Sequence, residues 1–281
     1  TYRDLTGDIE AEISAEKHRI LREYVESERF KLDFLGPLRD DILRGLSFVH
    51  DYKQINAQIS QNINVLIETS YQAASFDAKL SQAKEAEKAI YEASKFLEEK
   101  LNVAKFLLNP EWLTRPGDCT SFRFHGLAYK YIRIYEPQFL RKQIKLVVSG
   151  ESYKNVVANA QAVGVIPHTL IDNAHKYAPR ASRVEVHIED RDNHIIFSVR
   201  SLGPVIAHAE YTKIFDPFYR GTAARETVEE GAGYGLYVSQ LVAKEHLGTE
   251  ITVTQEIQPV ERNLHVTEFN VRIPLKAKIL F

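Results

Sequence analysis

The sequence predicts an α+β protein: an N-terminal helical hairpin that dimerises as a four-helix bundle, then an α/β sandwich built on one mixed sheet. Three observations predict it. Residues 38–69 and 76–108 carry apolar side chains at steps of three and four, the repeat of helices with one buried stripe. Asn109-Pro110 and Arg115-Pro116-Gly117 punctuate the chain as a linker. Beyond the linker, short alternating runs rich in β-branched residues interleave with two helical patterns.

Taken in order, residues 6–35 read as a helix capped by Thr6 and stopped by Gly36-Pro37. The helix over 38–69 lines up Ile42, Leu46, Val49, Tyr52, Ile55, Ile59, Ile63 and Leu66. A third helix over 76–108, with Ser75 as N-cap, repeats Leu80, Ala83, Ile90, Leu97, Leu101, Ala104 and Leu108, interrupted by Glu87 and Ser94. One hairpin leaves its apolar face open and two cover it, so a homodimer is expected. After the linker, residues 121–140 read as a helix, and 144–148, 183–189, 194–200, 250–256 and 265–273 as strands. Asp190-Arg191-Asp192-Asn193 turns two of these into a hairpin, and helices fall at 161–178 and 235–247. The expected domains are a connector at 1–37, the hairpin at 38–116 and the sandwich at 117–281.

Composition narrows the function. With 36 basic against 38 acidic residues and a net charge of −2, the chain lacks the electrostatic footprint of a nucleic-acid binder. A single cysteine, Cys119, excludes an intrachain disulfide and suits a reducing, cytoplasmic setting. No apolar run reaches membrane-spanning length and no signal peptide is visible. The chain starts at Thr1 and contains no methionine, so it reads as a trimmed piece, with any membrane contact made through a part outside this sequence.

The most informative stretch is His168–Pro179, HTLIDNAHKYAP, an amphipathic helix that Pro167 is expected to open and Pro179 to close. Asn173 and Lys176, three apart, share a helix face. An amide oxygen can ligate Mg²⁺ and an ammonium can meet a phosphate, which suits a metal–nucleotide site. An ordinary surface helix would also tolerate that pair. The second signal is GAGYGLY at 231–237, running into an amphipathic helix that Gly248 ends. Gly231, Gly233 and Gly235 free the backbone to approach a ligand, and the helix N-terminus after them offers N–H groups to phosphate. Leu236 stands where a dinucleotide fingerprint needs its third glycine, and no P-loop lysine follows.

Together these stretches resemble the ATP-binding catalytic domain of histidine kinases, in the superfamily that includes gyrase and MutL. HTLIDNAHKY resembles the N box, SLGPVI at 201–206 the first glycine box, KIFDPFYRG at 213–221 the F box and GAGYGL the second glycine box. The resemblance implies ATP as substrate with Asn173 ligating Mg²⁺, Lys176 facing phosphate and Tyr177 bordering the nucleotide. It implies that Gly203 lets the chain pass beneath the adenine, that residues 221–230 form a lid, and that Arg220 and Arg225 are available to phosphates. Upstream, HDYKQ at 50–54 resembles the phosphoacceptor box, with Ile55 replacing the family's proline. His50 and Gln54 fall opposite the apolar stripe. A solvent-facing histidine beside Asp51 can be polarised for phosphoryl acceptance, and Gln54 can orient a water. The implied partner is a response-regulator receiver.

Two departures bear on function. Ser201 stands where the family carries an aspartate that accepts from the adenine amine, which weakens or alters nucleotide selection. Thr169 stands where the superfamily's hydrolases carry a glutamate base, which disfavours plain ATP hydrolysis. The rival expectation is a nucleotide-sensing scaffold of the same fold. His168, His175 and His187 lack a convergent metal-binding spacing and read as packed or solvated side chains.

Overall fold

The computed structural model describes residues 47–228, 231–260 and 264–280. The expected helix at 6–35 and the start of the next one lie outside these residues. The chain divides after His50 into two units, and the second, Asp51–Phe281, holds every element below except the first turn of α1.

Helix α1 is followed over residues 47–70. Its stripe splits: Val49 and Ile63 are buried, as is Ile67 outside the stripe, while Tyr52, Ile55, Ile59 and Leu66 are exposed. The third predicted helix is two. Helix α2, Phe76–Gln82, is capped by the Ser75 hydroxyl as expected, but the backbone at Ala83 and Lys84 is extended, and α3 starts afresh at Glu85–Leu108. The break is stabilised locally. The Lys84 N–H donates to Glu87 Oε2 at 3.0 Å and to the Tyr71 hydroxyl at 3.1 Å, while Ala83 packs with Ile63 and Ile67. Glu87, an interruption in the apolar pattern, is therefore the cap of a new helix. Ser94, the other interruption, accepts at its carbonyl from the Asn56 side chain at 2.8 Å and so seams α1 to α3.

The sandwich follows. Strand β1, Thr120–Arg123, precedes α4, Phe124–Arg141; β2 is Lys145–Ser149 and β3 Asn155–Ala158; α5 is Ala160–Tyr177. Strands β4, Arg183–Asp190, and β5, His194–Pro204, form the predicted hairpin. The short helix α6, Thr222–Thr227, comes next. Helix α7, Gly235–Leu241, runs on as a π-helical turn to Leu247, then β6, Ile251–Gln255, and β7, Leu264–Pro274, complete the sheet. The main sheet has the order β2-β4-β5-β7-β6, mixed because only β2 and β4 pair in parallel. Alternate residues of β5, Ile195, Phe197 and Val199, face a core shared with α4, α5 and α7.

Two expectations change here. Residues 121–123 are strand, not helix, because β1 pairs antiparallel with β3 as a separate two-stranded sheet. Pro167 sits inside α5 and does not open it. The helix starts seven residues earlier, where the Asn159 side chain accepts from the N–H groups of Gln161 and Ala162. Burial of Ala162, Val163, Val165 and Ile166, each at most 2% exposed, offsets the roughly 3 kcal/mol cost of an interior proline. Gly248 ends the later helix in the left-handed conformation, as read from sequence.

The linker is tied down by His246, which is fully buried. Its Nε2 accepts from the Asn159 N–H at 3.0 Å, so the proton is on Nδ1, which donates to the Leu113 carbonyl at 2.7 Å. Replacing it with leucine orphans a buried N–H and a buried C=O at once. We expect His246→Leu to cost about 2–6 kcal/mol in urea denaturation, at about 1–3 kcal/mol per orphaned group; a loss under about 1 kcal/mol contradicts this role.

Candidate functional site

Helix α5, the end of β5, the F-box segment and the glycine turn before α7 enclose a cavity of about 250 Å³, near the low end for small-molecule sites, about 300 Å³. Its lining includes Asn173, Lys176, Tyr177, Ser201, Gly203, Arg220, Gly231, Gly233, Gly235 and Leu236, which the sequence scatters over more than sixty positions. These ten expected residues meet at one place, whereas Arg225, also expected near phosphate, is exposed and outside the lining. His50, Asp51 and Gln54 are exposed on α1.

Backbone conformation explains the glycine turn. Gly233 has φ +71°, and a Cβ there would come within 2.7–2.9 Å of backbone atoms of Phe218 and Tyr219. The F box and the glycine turn touch through backbone, so only glycine fits. At Gly235 an added Cβ would lie 3.1 Å from the Thr169 methyl, which packs the N-terminus of α7 on α5. The Arg220 guanidinium donates to the Val228 carbonyl, spanning the lid segment. Glu210, also lining the cavity, anchors the start of the segment expected to form a lid. It accepts from the N–H and hydroxyl of Thr222, both at 3.0 Å, from the Tyr219 hydroxyl at 3.0 Å and from the Ala207 N–H at 3.2 Å. Thr222's N–H above all holds this carboxyl below its ordinary pKa, joined by the other donors against the opposing effect of burial. The lid, expected to be unpatterned, contains the short helix α6.

The electrostatic centre is Asp172, 6% exposed. Lys176, one turn on, meets it at 2.5 Å, and Lys100 from α3 meets the same oxygen at 2.8 Å. Burial alone would raise this carboxyl; the two ammoniums outweigh burial and hold it at about 2. Burial pulls Lys100 below its ordinary value against the opposing pull of Asp172. Lys176, expected to face phosphate, is engaged by Asp172 while still lining the cavity. Asp172 and Lys176 are an i, i+4 pair that the sequence did display. Lys100 had no such signal, because its partner lies 72 positions away. Thr267, buried across the sheet from Ser201, was also missed, although strand alternation places it on the cavity face.

The description "Histidine kinase-, DNA gyrase B-, and HSP90-like ATPase" matches residues 160–277. The similarity to that family is confined to this part of the chain. The match includes every cavity residue anticipated from sequence and stops short of the hairpin. Over 138 residues the chain is 36% identical to the sensor protein kinase PmrB of Pseudomonas aeruginosa, covering 47% of this chain and 28% of that protein. It is 30% identical over 127 residues to the swarming motility regulation sensor protein RssA of Serratia marcescens, covering 45% and 26%. It is 31% identical over 88 residues to the sensor protein SrrB of Staphylococcus aureus, covering 31% and 15%. These alignments thus take in under a third of each relative's own length. The match agrees with the expected α/β sandwich and supports ATP as the ligand class of this part of the chain. Among the described residues no helix is long and apolar enough to cross a membrane, and no group of three or more His, Cys, Asp or Glu side chains could hold a metal ion.

Behind Asp172, His168 is 2% exposed among Phe96, Tyr131 and Tyr135, with the Tyr135 hydroxyl 3.2 Å from its Nδ1. Burial first, and then Lys100, lower its pKa from 6.5 to about 4. Above pH about 6.5 it is neutral folded or unfolded, so it adds no pH dependence there. As pH falls toward 4 the unfolded chain takes up a proton that the folded chain refuses. Stability therefore drops through that window, by roughly 3 kcal/mol in all at about 1.4 kcal/mol per unit. We expect His168→Phe to flatten this fall in urea midpoints compared at pH about 7 and about 5. Parallel wild-type and variant curves would contradict it.

Proposed function

We propose that the chain is the kinase core of a sensor histidine kinase. It binds Mg-ATP in the cavity and transfers the γ-phosphoryl group to His50. The carrying observation is the convergence of α5, the β5 end, the F box and the glycine turn on one cavity with three positive side chains, Lys100, Lys176 and Arg220, in its lining. The Asn173 amide lines the same cavity, an uncharged oxygen of the kind that ligates a hard cation, so the donor set fits Mg²⁺, which would neutralise phosphate charge when bound.

In the transfer, a ring nitrogen of His50 attacks the γ-phosphorus. The N–P bond forms, the P–O bond to the β-phosphate breaks, and ADP leaves with that oxygen's charge. Asp51 polarises the imidazole by taking the proton from its other nitrogen. Thr169 supplies no carboxylate to activate water, which favours transfer to histidine over hydrolysis. The phosphoryl group then passes to an aspartate of a response-regulator receiver, and Gln54 orients a water for the reverse, dephosphorylating role. Exposure of Tyr52, Ile55, Ile59 and Leu66 on α1, with Ile90 and Leu97 on α3, supports a homodimer joined through a four-helix bundle. A second reading, a nucleotide-sensing scaffold, is favoured by one observation, the uncharged Ser201 in the cavity.

Incubation with Mg²⁺ and γ-labelled ATP separates the two. The kinase reading predicts an acid-labile, alkali-stable label on the protein that His50→Gln removes. Undiminished label in that variant, or bound nucleotide with no label in the wild type, overturns it.

A further inference from the structure

The positive charges of the cavity come from α3, α5 and Arg220, and its sheet floor has none. On β5, Val199, Ser201 and Gly203 are alternate residues on the helix-covered face, and Val199 there is 1% exposed. Ser201 pairs in register with Thr267 of β7, so two hydroxyl side chains stand opposite each other on that face. Thr267 is 6% exposed, and its Oγ1 lies 3.6 Å from where a Cβ on Gly203 would be.

Gln255 fixes the polarity of this pair. Its Oε1 accepts from the Ile206 N–H at 2.8 Å, which identifies its other terminal atom as the amide nitrogen. That nitrogen donates to the Pro204 carbonyl at 2.9 Å and to Thr267 Oγ1 at 2.7 Å. Thr267 thus already accepts, and its own proton remains to be given to a ligand. The Ser201 hydroxyl rotates to donate or accept. A carboxylate at 201 would only accept, matching an exocyclic amine and repelling a carbonyl. The pair present here offers a donor and a two-way group, with no charge.

Resting on the nucleotide-binding reading above, we propose that this cavity takes 6-oxopurine nucleoside triphosphates on the same footing as ATP. A 6-amino group is met by Ser201 as acceptor; a 6-oxo group is met by Ser201 as donor, with Thr267 donating alongside it. The surrounding floor, Val199 and Phe269, contacts the ring system and reads no substituent.

Calorimetric titration of the whole chain with Mg-ATP and with Mg-ITP, which differ at the 6-position, tests this. The two dissociation constants are expected within tenfold of each other. Ser201→Asp shifts their ratio at least tenfold toward ATP, while Ser201→Ala, which leaves the floor uncharged, keeps it within tenfold. A wild-type preference for ATP beyond tenfold overturns the proposal and leaves the kinase reading standing, as does a ratio that Ser201→Asp does not move. Binding of neither nucleotide overturns both.

Discussion

A carboxylate removed from water has to be paired, and Asp172 is paired twice, by Lys176 on its own helix and by Lys100 on α3. This single constraint ties the second helix of the hairpin to the helix that carries the cavity's polar residues. It brings Lys100 and Val103 into the cavity lining, so the site is not the property of the sandwich alone. Buried ion pairs are poor evidence of stability, since desolvation cancels much of their attraction. Their directional requirement is what matters here: with its carboxylate fixed between two elements, α5 has one rotation about its axis, and Asn173 and Tyr177 are placed with it. One carboxylate against two ammoniums also leaves the wall net positive, which suits a polyphosphate.

The cavity has two characters that follow from the elements making it. Its sheet floor is built from strand residues whose side chains alternate strictly, so its chemistry is set by register and consists of hydroxyls and apolar groups. Its other side is built from loop backbone, where Gly233 allows the F box and glycine turn into contact, and from a lid tethered by Glu210. The floor is held by strand pairing on both sides of β5. The segment around α6 is held by hydrogen bonds to the Glu210 carboxylate and from the Arg220 guanidinium, not by core packing.

Much of this was legible in the sequence. Strand alternation located each member of the main sheet to within a few residues; Asn173 and Lys176 stood out by helix-face spacing and Gly231, Gly233 and Gly235 by their density, while Tyr177, Ser201, Gly203 and Arg220 came from the family resemblance. What was missed shares a physical cause, contact between positions distant in the chain. The break at Ala83-Lys84 depends on Tyr71 and Glu87, β1 depends on β3, and Lys100 depends on Asp172. Pro167 misled because proline favours a helix start locally, while the burial that carries α5 past it is tertiary. Thr267 lay in plain alternation, and its importance comes only from facing Ser201.

The account's central claim is that α5, the β5 end and the segment around the glycine turn form one Mg-nucleotide site. Hydrogen–deuterium exchange of the chain with and without Mg²⁺ and a non-hydrolysable ATP analogue tests it most directly. The account predicts protection concentrated in the last turns of α5, at 201–206 and across 214–236, with the outer strand β2 unchanged. Protection spread evenly over the chain, or confined to segments away from this cavity, would contradict it.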